Sequence, residues 1–286
     1  MTSGPRHIVI EREFEFTKDD FDYLRQMVIT RTGIVVPDEK MDMFYSRLAR
    51  RVRKLELLSF KQYCDLIRNE KDGAEAAQLI NAITTNLTSF FRESYHFDFL
   101  AESLIPDLIE REPKRRRLSI WSAGCSTGEE PYSIAITLSQ LGLVDRGWDI
   151  KILATDIDSN VLEHGVKGVY GLEQINVVPD RYVKAGFLRG KKGKSGKVSI
   201  KPNVRRMVEF MQLNLNSQWS LPEQMDMVFC RNVIIYFDKE SKRALVNRIA
   251  DNLKEGGYLF IGHSESLFRV SERFELVGKT IYRKKV

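Results

Sequence analysis

Two hydrophobic patterns divide the chain. Over about the first 110 residues, apolar side chains such as Phe21, Leu24 and Val28 recur every three or four positions, which is the spacing of amphipathic helices. Further along, short apolar runs alternate with helical stretches and glycine turns, as in α/β proteins. The pattern therefore predicts an all-helical N-terminal domain over residues 1–112 and an α/β domain over residues 113–286.

Local signals place the helices of the first domain. Thr17 is expected to cap the first helix with Asp20 three residues on, which is a capping-box variant, and Gly33 is expected to end it. The remaining helices are predicted over 38–55, from Ser59 through Ile67, and over 74–86 and 94–110.

The second helix carries a basic face that is separate from its apolar face. Five cations, counting Arg53, fall within eight residues without an intervening acid. Four of them are spaced three and four apart and form the candidate docking face: Arg47, Arg50, Arg51 and Lys54. Charged helix faces are often merely solvated, so a solvated face and a docking surface for an acidic partner both remain open.

The stretch from Leu118 to Ala135 reads LSIWSAGCSTGEEPYSIA and organises the second domain. It predicts a buried strand, then a turn at Gly124 and Gly128, then a helix with Pro131 in its first turn. Doubly wound α/β domains bring their backbone close to nucleotide-like ligands in this way. The spacing G-x-x-x-G departs from the G-x-G-x-x-G pattern of dinucleotide sites.

Acidic residues around this turn indicate the kind of ligand. Glu129 and Glu130 would repel a pyrophosphate but suit the ammonium and sulfonium groups of S-adenosylmethionine, although acids in a first turn also simply favour the helix dipole. Asp156 ends the second predicted strand, where such folds hold ribose hydroxyls. Asp158 could do the same or only cap the next helix.

The rest of the chain supplies further candidate residues. Residues 168–206 are expected to form a small β insertion that includes a basic loop from Gly190 to Gly196. Strands are predicted over 208–215, 225–230 and 258–261, with a hairpin over 274–282. Asn214 falls at a strand end, and residues 231–237 follow a strand at the carboxyl edge, where such folds place ligands. The segment from Thr84 to Arg92 could cover a bound ligand or simply cap a helix.

Composition narrows the functional classes. The net charge of +6 favours an acidic partner, either nucleic acid or an acidic protein surface. The three cysteines are scattered, so no metal site or disulfide framework is predicted. No signal peptide or membrane-length apolar run is present, and a soluble cytoplasmic protein is expected.

Several motifs, in order, resemble those of the chemotaxis receptor methyltransferases, the CheR family of protein-glutamate O-methyltransferases. They are TTNLTSFFRE, WSAGCSTGEEPYSIA, ATDID, CRNVIIYFDK and GGYLFIGHSES. The resemblance implies an α/β fold, the doubly wound S-adenosylmethionine-dependent methyltransferase fold, with a β-subdomain inserted at 168–206 and an all-helical N-terminal domain. It implies that these residues line the cofactor site: Asn86, Thr88, Arg92, Glu130, Asp156, Asn214, Leu215, Arg231 and Asn232.

The resemblance also implies a function. Arg92 and Tyr236 would face the transfer of methyl groups from S-adenosylmethionine to glutamate side chains of membrane chemoreceptors, leaving S-adenosylhomocysteine. Arg92 could instead clamp the cofactor's carboxylate, and Tyr236 could be a core aromatic. The partners would be the helical cytoplasmic region of the receptors and a receptor C-terminal peptide held by the β-subdomain, with no nucleic acid, no membrane insertion and a monomeric enzyme.

Two other functional classes compete with this interpretation. A nucleic-acid methyltransferase would fit the basic charge, but the segment from Asn232 to Tyr236 lacks the Pro-Pro of amine-directed DNA enzymes, and no Pro-Cys dipeptide is present. A non-catalytic module that senses S-adenosylmethionine is the other class. The presence of both Arg92 and Tyr236 argues against it.

Overall fold

The structure is a computed structural model that describes residues 12–190 and 195–285. Contacts divide it into two compact units. Among the described residues, the first comprises residues 12–31 together with Val36–Thr84, and the second comprises Thr32–Val35 and the chain from Thr85 onward. Most of the basic loop predicted from Gly190 to Gly196 lies outside the described residues.

Helices make up the first unit. They are α1 (Lys18–Thr32), α2 (Met41–Lys54, preceded by a 3₁₀ turn at Asp38–Lys40), α3 (Phe60–Asn69) and α4 (Ala74–Ile83). The capping box predicted at α1 is confirmed, because the Thr17 N–H donates to Asp20 Oδ2 at 3.0 Å and the Asp20 N–H donates to Thr17 Oγ1 at 3.1 Å. The rings of Phe21 and Phe44 meet edge to face at 5.2 Å in the buried core.

One predicted helix over 94–110 is interrupted. It consists of α5 (Tyr95–Phe99), a π-helical turn at Leu100–Leu104 and α6 (Ile105–Arg111). Pro106 has no N–H and would clash with the carbonyl four residues before it in a regular helix. The wider turn accommodates it, and the Ile105 N–H donates to the Leu100 carbonyl, five residues back.

These helices belong to the second unit. Leu100 and Leu104 lie in one buried cluster with Leu118 and Ile120 of the first strand. The contacts accordingly divide the chain between residues 84 and 85, whereas the sequence pattern placed the domain boundary between residues 112 and 113. The difference arises because a helical period alone does not show which layer a helix packs against.

The described residues of the second unit form ten strands and five further helices. The strands are β1 (Arg117–Ala123), β2 (Asp149–Asp156), β3 (Val169–Gly171), β4 (Phe187–Arg189), β5 (Lys197–Ile200), β6 (Val208–Gln212), β7 (Met225–Cys230), β8 (Leu253–Ile261), β9 (Phe274–Gly278) and β10 (Ile281–Lys284). The helices are α7 (Glu129–Gln140), α8 (Ser159–Lys167), α9 (Asp180–Gly186), α10 (Pro202–Arg205) and α11 (Lys239–Asn252).

A seven-stranded sheet forms the centre of this unit, in the order β6-β2-β1-β7-β8-β10-β9. The first five strands in this order are parallel, and β10 runs antiparallel to both neighbours. Alternate residues of β1 enter two separate hydrophobic clusters, Leu118 and Ile120 in one and Trp121 and Ala123 in the other. The sheet is therefore covered on both faces, which confirms the predicted doubly wound α/β fold.

Two further features bear on the sequence predictions. The inserted segment contains an antiparallel sheet in the order β3-β5-β4, as expected for the β insertion. The strand predicted from Tyr258 begins earlier, at Leu253, directly after α11. Gly256 lies within it at φ +70°, where the register shifts, so this glycine serves a bulge.

Candidate active site

A glycine turn joins β1 to α7 at the carboxyl edge of the sheet. Gly124 and Gly128 have φ of +76° and +97°, a region that favours glycine. A Cβ on Gly124 would clash with Val233 Cγ2, and one on Gly128 would lie 2.9 Å from Tyr170 Oη. Glycine is therefore required at both positions by conformation and by close approach.

Asp156 lies at the end of β2, against this turn. Its Oδ2 accepts from the Ser126 N–H at 2.8 Å and its Oδ1 accepts from the Asp158 N–H at 3.0 Å. Burial raises the pKa of Asp156, and the backbone N–H groups offset only part of that shift. A carboxylate offers about four acceptor positions, so the two amides fix its orientation and leave capacity for ribose hydroxyls.

Asp158 has a different role. Its Oδ1 accepts from the Asn160 N–H at 2.9 Å and so caps α8, while its Oδ2 accepts from Asn86 Nδ2 at 2.8 Å. The Asn86 carbonyl in turn accepts from Ser126 Oγ at 2.9 Å. Of the two interpretations of Asp158, the structure favours its role as the N-cap of α8. Asn86 is hydrogen-bonded both to this capping residue and to Ser126 of the glycine turn.

Residues 85–94, named here the Asn86 loop, are anchored by aromatic packing. The ring of Phe90 packs edge to face on Tyr170 at 4.8 Å, and the ring of Phe91 stacks on Tyr182 at 4.3 Å. The Phe91 N–H donates to Ser133 Oγ of α7 at 2.9 Å. The loop is therefore fixed to α7 and to the β insertion.

Arg231 connects this loop to the start of α7. Its buried guanidinium lies 3.0 Å from Glu130 Oε2 and 3.4 Å from Glu93 Oε2, and it also donates to the Arg92 carbonyl. Burial raises the pKa of Glu130, while the charge of Arg231 and a hydrogen bond from Ser122 oppose that shift. The sequence analysis expects Arg231 to line the cofactor site, and that expectation stays a proposal; in the structure its guanidinium contacts Glu130, Glu93 and the Arg92 carbonyl.

Glu93 is a site residue that received no role in the sequence analysis. It accepts from His263 Nδ1 at 2.8 Å, from Tyr95 Oη at 3.3 Å and from Asn232 Nδ2 at 3.4 Å. Burial opposes ionisation, but the hydrogen bond from His263 and the charge of Arg231 prevail and lower the pKa of Glu93 to about 2. A single carboxylate thus joins the Asn86 loop to the ends of β7 and β8.

Glu265 is the second residue that sequence reasoning missed. This buried carboxylate accepts four backbone N–H groups: those of Gly262 at 2.5 Å, Asn232 at 2.9 Å, Val233 at 3.0 Å and Ile235 at 3.1 Å. It therefore sets the backbone path after β7. The motif GHSES contains it, but nothing in that motif indicates which amides it would accept.

The loop after β7 is further constrained by close backbone approach. Asn232 has φ +58°, and a Cβ on Gly262 would clash with its side chain. The end of the same loop is also held, because the Tyr236 carbonyl accepts from the Val35 N–H at 2.8 Å and Ile34 forms a β-bridge with Phe237.

The two predicted catalytic side chains are both partly accessible. Tyr236 is half-buried, and its Oη makes no hydrogen bond to any residue in the described ranges. Arg92 is also half-buried, and its Nη1 donates to the Leu87 carbonyl at 2.9 Å. Each therefore keeps a hydrogen-bonding group free to meet a substrate, and Tyr236 is not among the buried core residues.

The remaining predicted cofactor residues differ in their surroundings. Asn214 lies just past the end of β6, and its Oδ1 accepts from the Asn216 N–H at 2.9 Å. Leu215 is buried in the hydrophobic cluster beside Trp219, and Thr88 is half-buried in the Asn86 loop. Over residues 12–190 and 195–285, no group of His, Cys, Asp and Glu side chains could hold a metal ion.

The four cations of the predicted docking face of α2 have two kinds of surroundings. Arg51 makes a two-pronged ion pair with Glu75, and Arg47 Nη1 donates to the carbonyls of Ile83 and Thr84 at 2.7 Å each, at the end of α4. These two side chains thus hold α2 to α4. The other two cations of the face, Arg50 and Lys54, are exposed.

The site and fold together define a class of protein. A glycine turn after β1, an oriented acid at the end of β2 and a reversed last strand inserted between β8 and β9 are features of S-adenosylmethionine-dependent methyltransferases. The residues fit this cofactor, because Asp156 has acceptor capacity for ribose and the turn is rich in carboxylates rather than in anion-binding groups.

Comparison with known proteins gives the family. Residues 19–84 match the family model described as the CheR methyltransferase all-alpha domain, and residues 86–283 match the CheR methyltransferase SAM binding domain. The chain belongs to the CheR methyltransferase family and uses S-adenosylmethionine as its cofactor.

Named relatives agree with this assignment. Chemotaxis protein methyltransferase 2 of Pseudomonas aeruginosa is 43% identical, covering 98% of each chain. The chemotaxis protein methyltransferase of Salmonella typhimurium is 38% identical over 99% of this chain and 96% of its own. That of Escherichia coli is 40% identical over 92% of this chain and 89% of its own. In the described part of the chain, no helix is long and apolar enough to cross a membrane.

Proposed function

We propose that this enzyme methylates glutamate side chains of chemoreceptors, forming glutamate methyl esters during adaptation in bacterial chemotaxis. The observation that carries the proposal is the family membership over nearly the whole chain. Arg92 and Tyr236 are the proposed catalytic residues. The enzyme would act as a monomer in the cytoplasm on the helical region of the receptors, and not on nucleic acid.

The chemistry requires little from the protein beyond positioning. S-adenosylmethionine supplies an electrophilic methyl group on a positively charged sulfur. A glutamate carboxylate is already ionised at neutral pH, so no general base is needed. Arg92 would orient the incoming carboxylate, and the Tyr236 hydroxyl would donate a hydrogen bond to it. Both would act by holding the reacting oxygen in line while the site excludes water.

The cofactor would be held by groups that the structure already orients. Asp156 would accept the two ribose hydroxyls with the acceptor positions that its backbone partners leave free. Glu130, fixed by Ser122 and Arg231, would place negative charge near the cationic groups. The other proposed contacts come from the Asn86 loop and from the segments that follow β6 and β7: Asn86, Thr88, Arg92, Asn214, Leu215 and Asn232.

The test is the base stability of the transferred methyl group. With radiolabelled S-adenosylmethionine and receptor-containing membranes, the label should enter receptor protein and become volatile as methanol in mild alkali. Arg92→Ala should abolish the volatile label, and Tyr236→Phe should reduce it. The matched control is Arg146→Ala, which removes an exposed arginine from a surface turn.

Other outcomes would favour the competing classes. Base-stable label, or label on nucleic acid in preference to receptor, would refute the glutamate assignment. Cofactor binding without any turnover would indicate a sensing module. If Arg92→Ala weakened S-adenosylmethionine binding and left the methylation rate at saturating cofactor unchanged, Arg92 would be assigned to the cofactor.

The β insertion is the proposed site for a receptor C-terminal peptide. In the sheet order β3-β5-β4, the strands β3 and β4 each pair on one side, and Leu188 of β4 is 47% exposed. An extended peptide could add to such an edge as a further strand. Immobilised receptor C-terminal peptides should retain the enzyme, and a lack of retention would count against this part of the proposal.

A further inference from the structure

A second cationic surface lies on α11, within the same unit as the active site. Its centre is a groove of about 510 Å³ that we name the α11 groove. The lining residues are Lys239, Glu240, Arg243, Ala244 and Asn247. Because Lys239, Arg243 and Asn247 are four residues apart, they follow one face of the helix.

The cations of this surface are not neutralised by the protein. Lys239 and Arg243, which line the groove, form no ion pair with any carboxylate among the described residues. The carboxylate of Asp238 is used to cap the helix, accepting from the N–H groups of Glu240 at 2.9 Å and Ser241 at 2.8 Å. Glu240 is then the one acid that lines the groove. The arrangement contrasts with α2, where Arg51 is paired with Glu75.

An exposed aromatic side chain stands on the neighbouring loop. Phe268 is 77% exposed, and the guanidinium of Arg269 lies 5.1 Å from its ring centroid. Arg243 Nη2 donates to the Arg269 carbonyl at 3.4 Å, and Ser271 Oγ donates to Asn247 Oδ1 at 3.2 Å. The loop is thereby fastened to α11, so the ring is presented on a held backbone.

The groove begins close to the predicted catalytic tyrosine. Lys239 follows Tyr236 by three residues, so their Cα atoms are at most about 11 Å apart, because consecutive Cα atoms are about 3.8 Å apart. Since α11 follows β7, the helix starts at the carboxyl edge of the sheet, where the glycine turn lies. A substrate segment that reaches Tyr236 would pass the first turn of α11.

We propose that the α11 groove and Phe268 dock an acidic, amphipathic helix of the methylation substrate. The inference rests on the proposed function, because it takes the substrate to be a helix that bears glutamates. Unpaired cations beside a fixed, exposed aromatic ring match the acidic and apolar faces of such a helix. The phosphate backbone of a nucleic-acid duplex could meet the cations but offers no apolar face to the exposed Phe268 ring.

The experiment compares receptor methylation by the full-length enzyme and by two variants. Lys239→Glu reverses a charge that forms no ion pair with any described residue, and Phe268→Ala removes the exposed ring. Each variant should raise the KM for receptor, by about tenfold for the charge reversal. The KM of the native enzyme should also rise more steeply with salt concentration than the KM of Lys239→Glu. Calorimetric affinity for S-adenosylmethionine should not change. Lys61→Glu on α3 is the matched charge-reversal control and should leave the KM for receptor unaltered.

Each alternative outcome has a separate meaning. If the native enzyme methylates receptor and both variants keep its KM, the docking inference is overturned while the proposed function stands. If the native enzyme transfers no label to receptor, the proposed function itself is overturned. If Lys239→Glu loses binding to double-stranded DNA and keeps its KM for receptor, the groove is a nucleic-acid surface and the docking inference is wrong.

Discussion

Neighbouring arginines of α2 should respond very differently to the same substitution. Arg51 Nε donates to Glu75 Oε1 at 2.6 Å, and its Nη2 pairs with the other oxygen of that carboxylate. The side chain of Glu75 is only 8% exposed, and Tyr63 Oη donates to it at 2.9 Å. The hydrogen bond with Glu75 raises the pKa of Arg51 despite partial burial. Arg50, one residue earlier, is exposed and has no ion pair within the described ranges.

The magnitude follows from what each substitution leaves behind. Removing one partner of a buried ion pair typically costs about 3–5 kcal/mol, because the other charge stays buried without compensation. Since Tyr63 would still donate to Glu75, and Arg51 is 20% exposed, we expect Arg51→Ala to cost about 2–4 kcal/mol. Arg50→Ala should change the free energy of unfolding by less than about 0.5 kcal/mol.

Urea unfolding followed by far-ultraviolet circular dichroism measures the difference. With a denaturant slope of about 2 kcal/mol per molar, Arg51→Ala should lower the midpoint of the helical first unit by about 1–2 M. Arg50→Ala should keep the native midpoint. The double variant Arg51→Ala/Glu75→Gln should recover part of the loss, because it removes the buried unpaired charge.

One comparison would refute the reasoning. If Arg51→Ala unfolded at the same urea concentration as Arg50→Ala, the pair with Glu75 would not stabilise the fold. The full set of four cations on α2 would then return as the candidate docking face. If the prediction holds, a loss of receptor methylation in an Arg51 variant reflects the instability of the helical first unit. Only substitutions of Arg50 and Lys54 would then test whether α2 docks on the receptor.

Two further predictions concern the buried carboxylates of the site. Glu265→Gln replaces one acceptor oxygen by a donor and should lower the kcat of receptor methylation at least about tenfold, since charged hydrogen bonds contribute about 1.5–3 kcal/mol each. An unchanged kcat would show that Glu265 does not position Tyr236. Glu93 has its pKa lowered to about 2, so its stabilisation is complete above its ordinary value of 4.5 and is lost as the pH falls towards 2. The difference in unfolding free energy between the native enzyme and Glu93→Gln should therefore shrink over that interval, and a constant difference would contradict the assignment.

Local chemistry explains which features could be predicted from the sequence. The pairing of Thr17 with Asp20 spans three residues, and the turn at Gly124 and Gly128 depends on backbone conformations that only glycine adopts easily. Such signals need no knowledge of the tertiary fold. The interruption of the helix before Pro106 also has a local signal, because a proline inside a helical pattern indicates an interrupted helix. The pattern of apolar residues alone does not show this interruption.

Contacts between distant segments explain what the sequence left undetermined. Helical spacing places Arg50 and Arg51 on neighbouring positions of α2, but only the position of α4 determines that Arg51 meets Glu75, 24 residues away. Glu265 accepts amides from residues 30 to 33 positions before it as well as from Gly262. The sequence therefore indicated the residues that face a ligand more readily than the carboxylates that hold their loops in place.

The short bridge between residues 32–35 and the loop that carries Tyr236 limits how this protein can be divided. These residues lie between α1 and α2 in the chain, yet they belong to the second unit, and the Val35 N–H donates to the Tyr236 carbonyl. A fragment that starts at Thr85 would contain every proposed catalytic side chain and still lack this support. A chimaera that takes its N-terminal helices from a relative would therefore have to keep residues 32–35 together with the catalytic loop that they support.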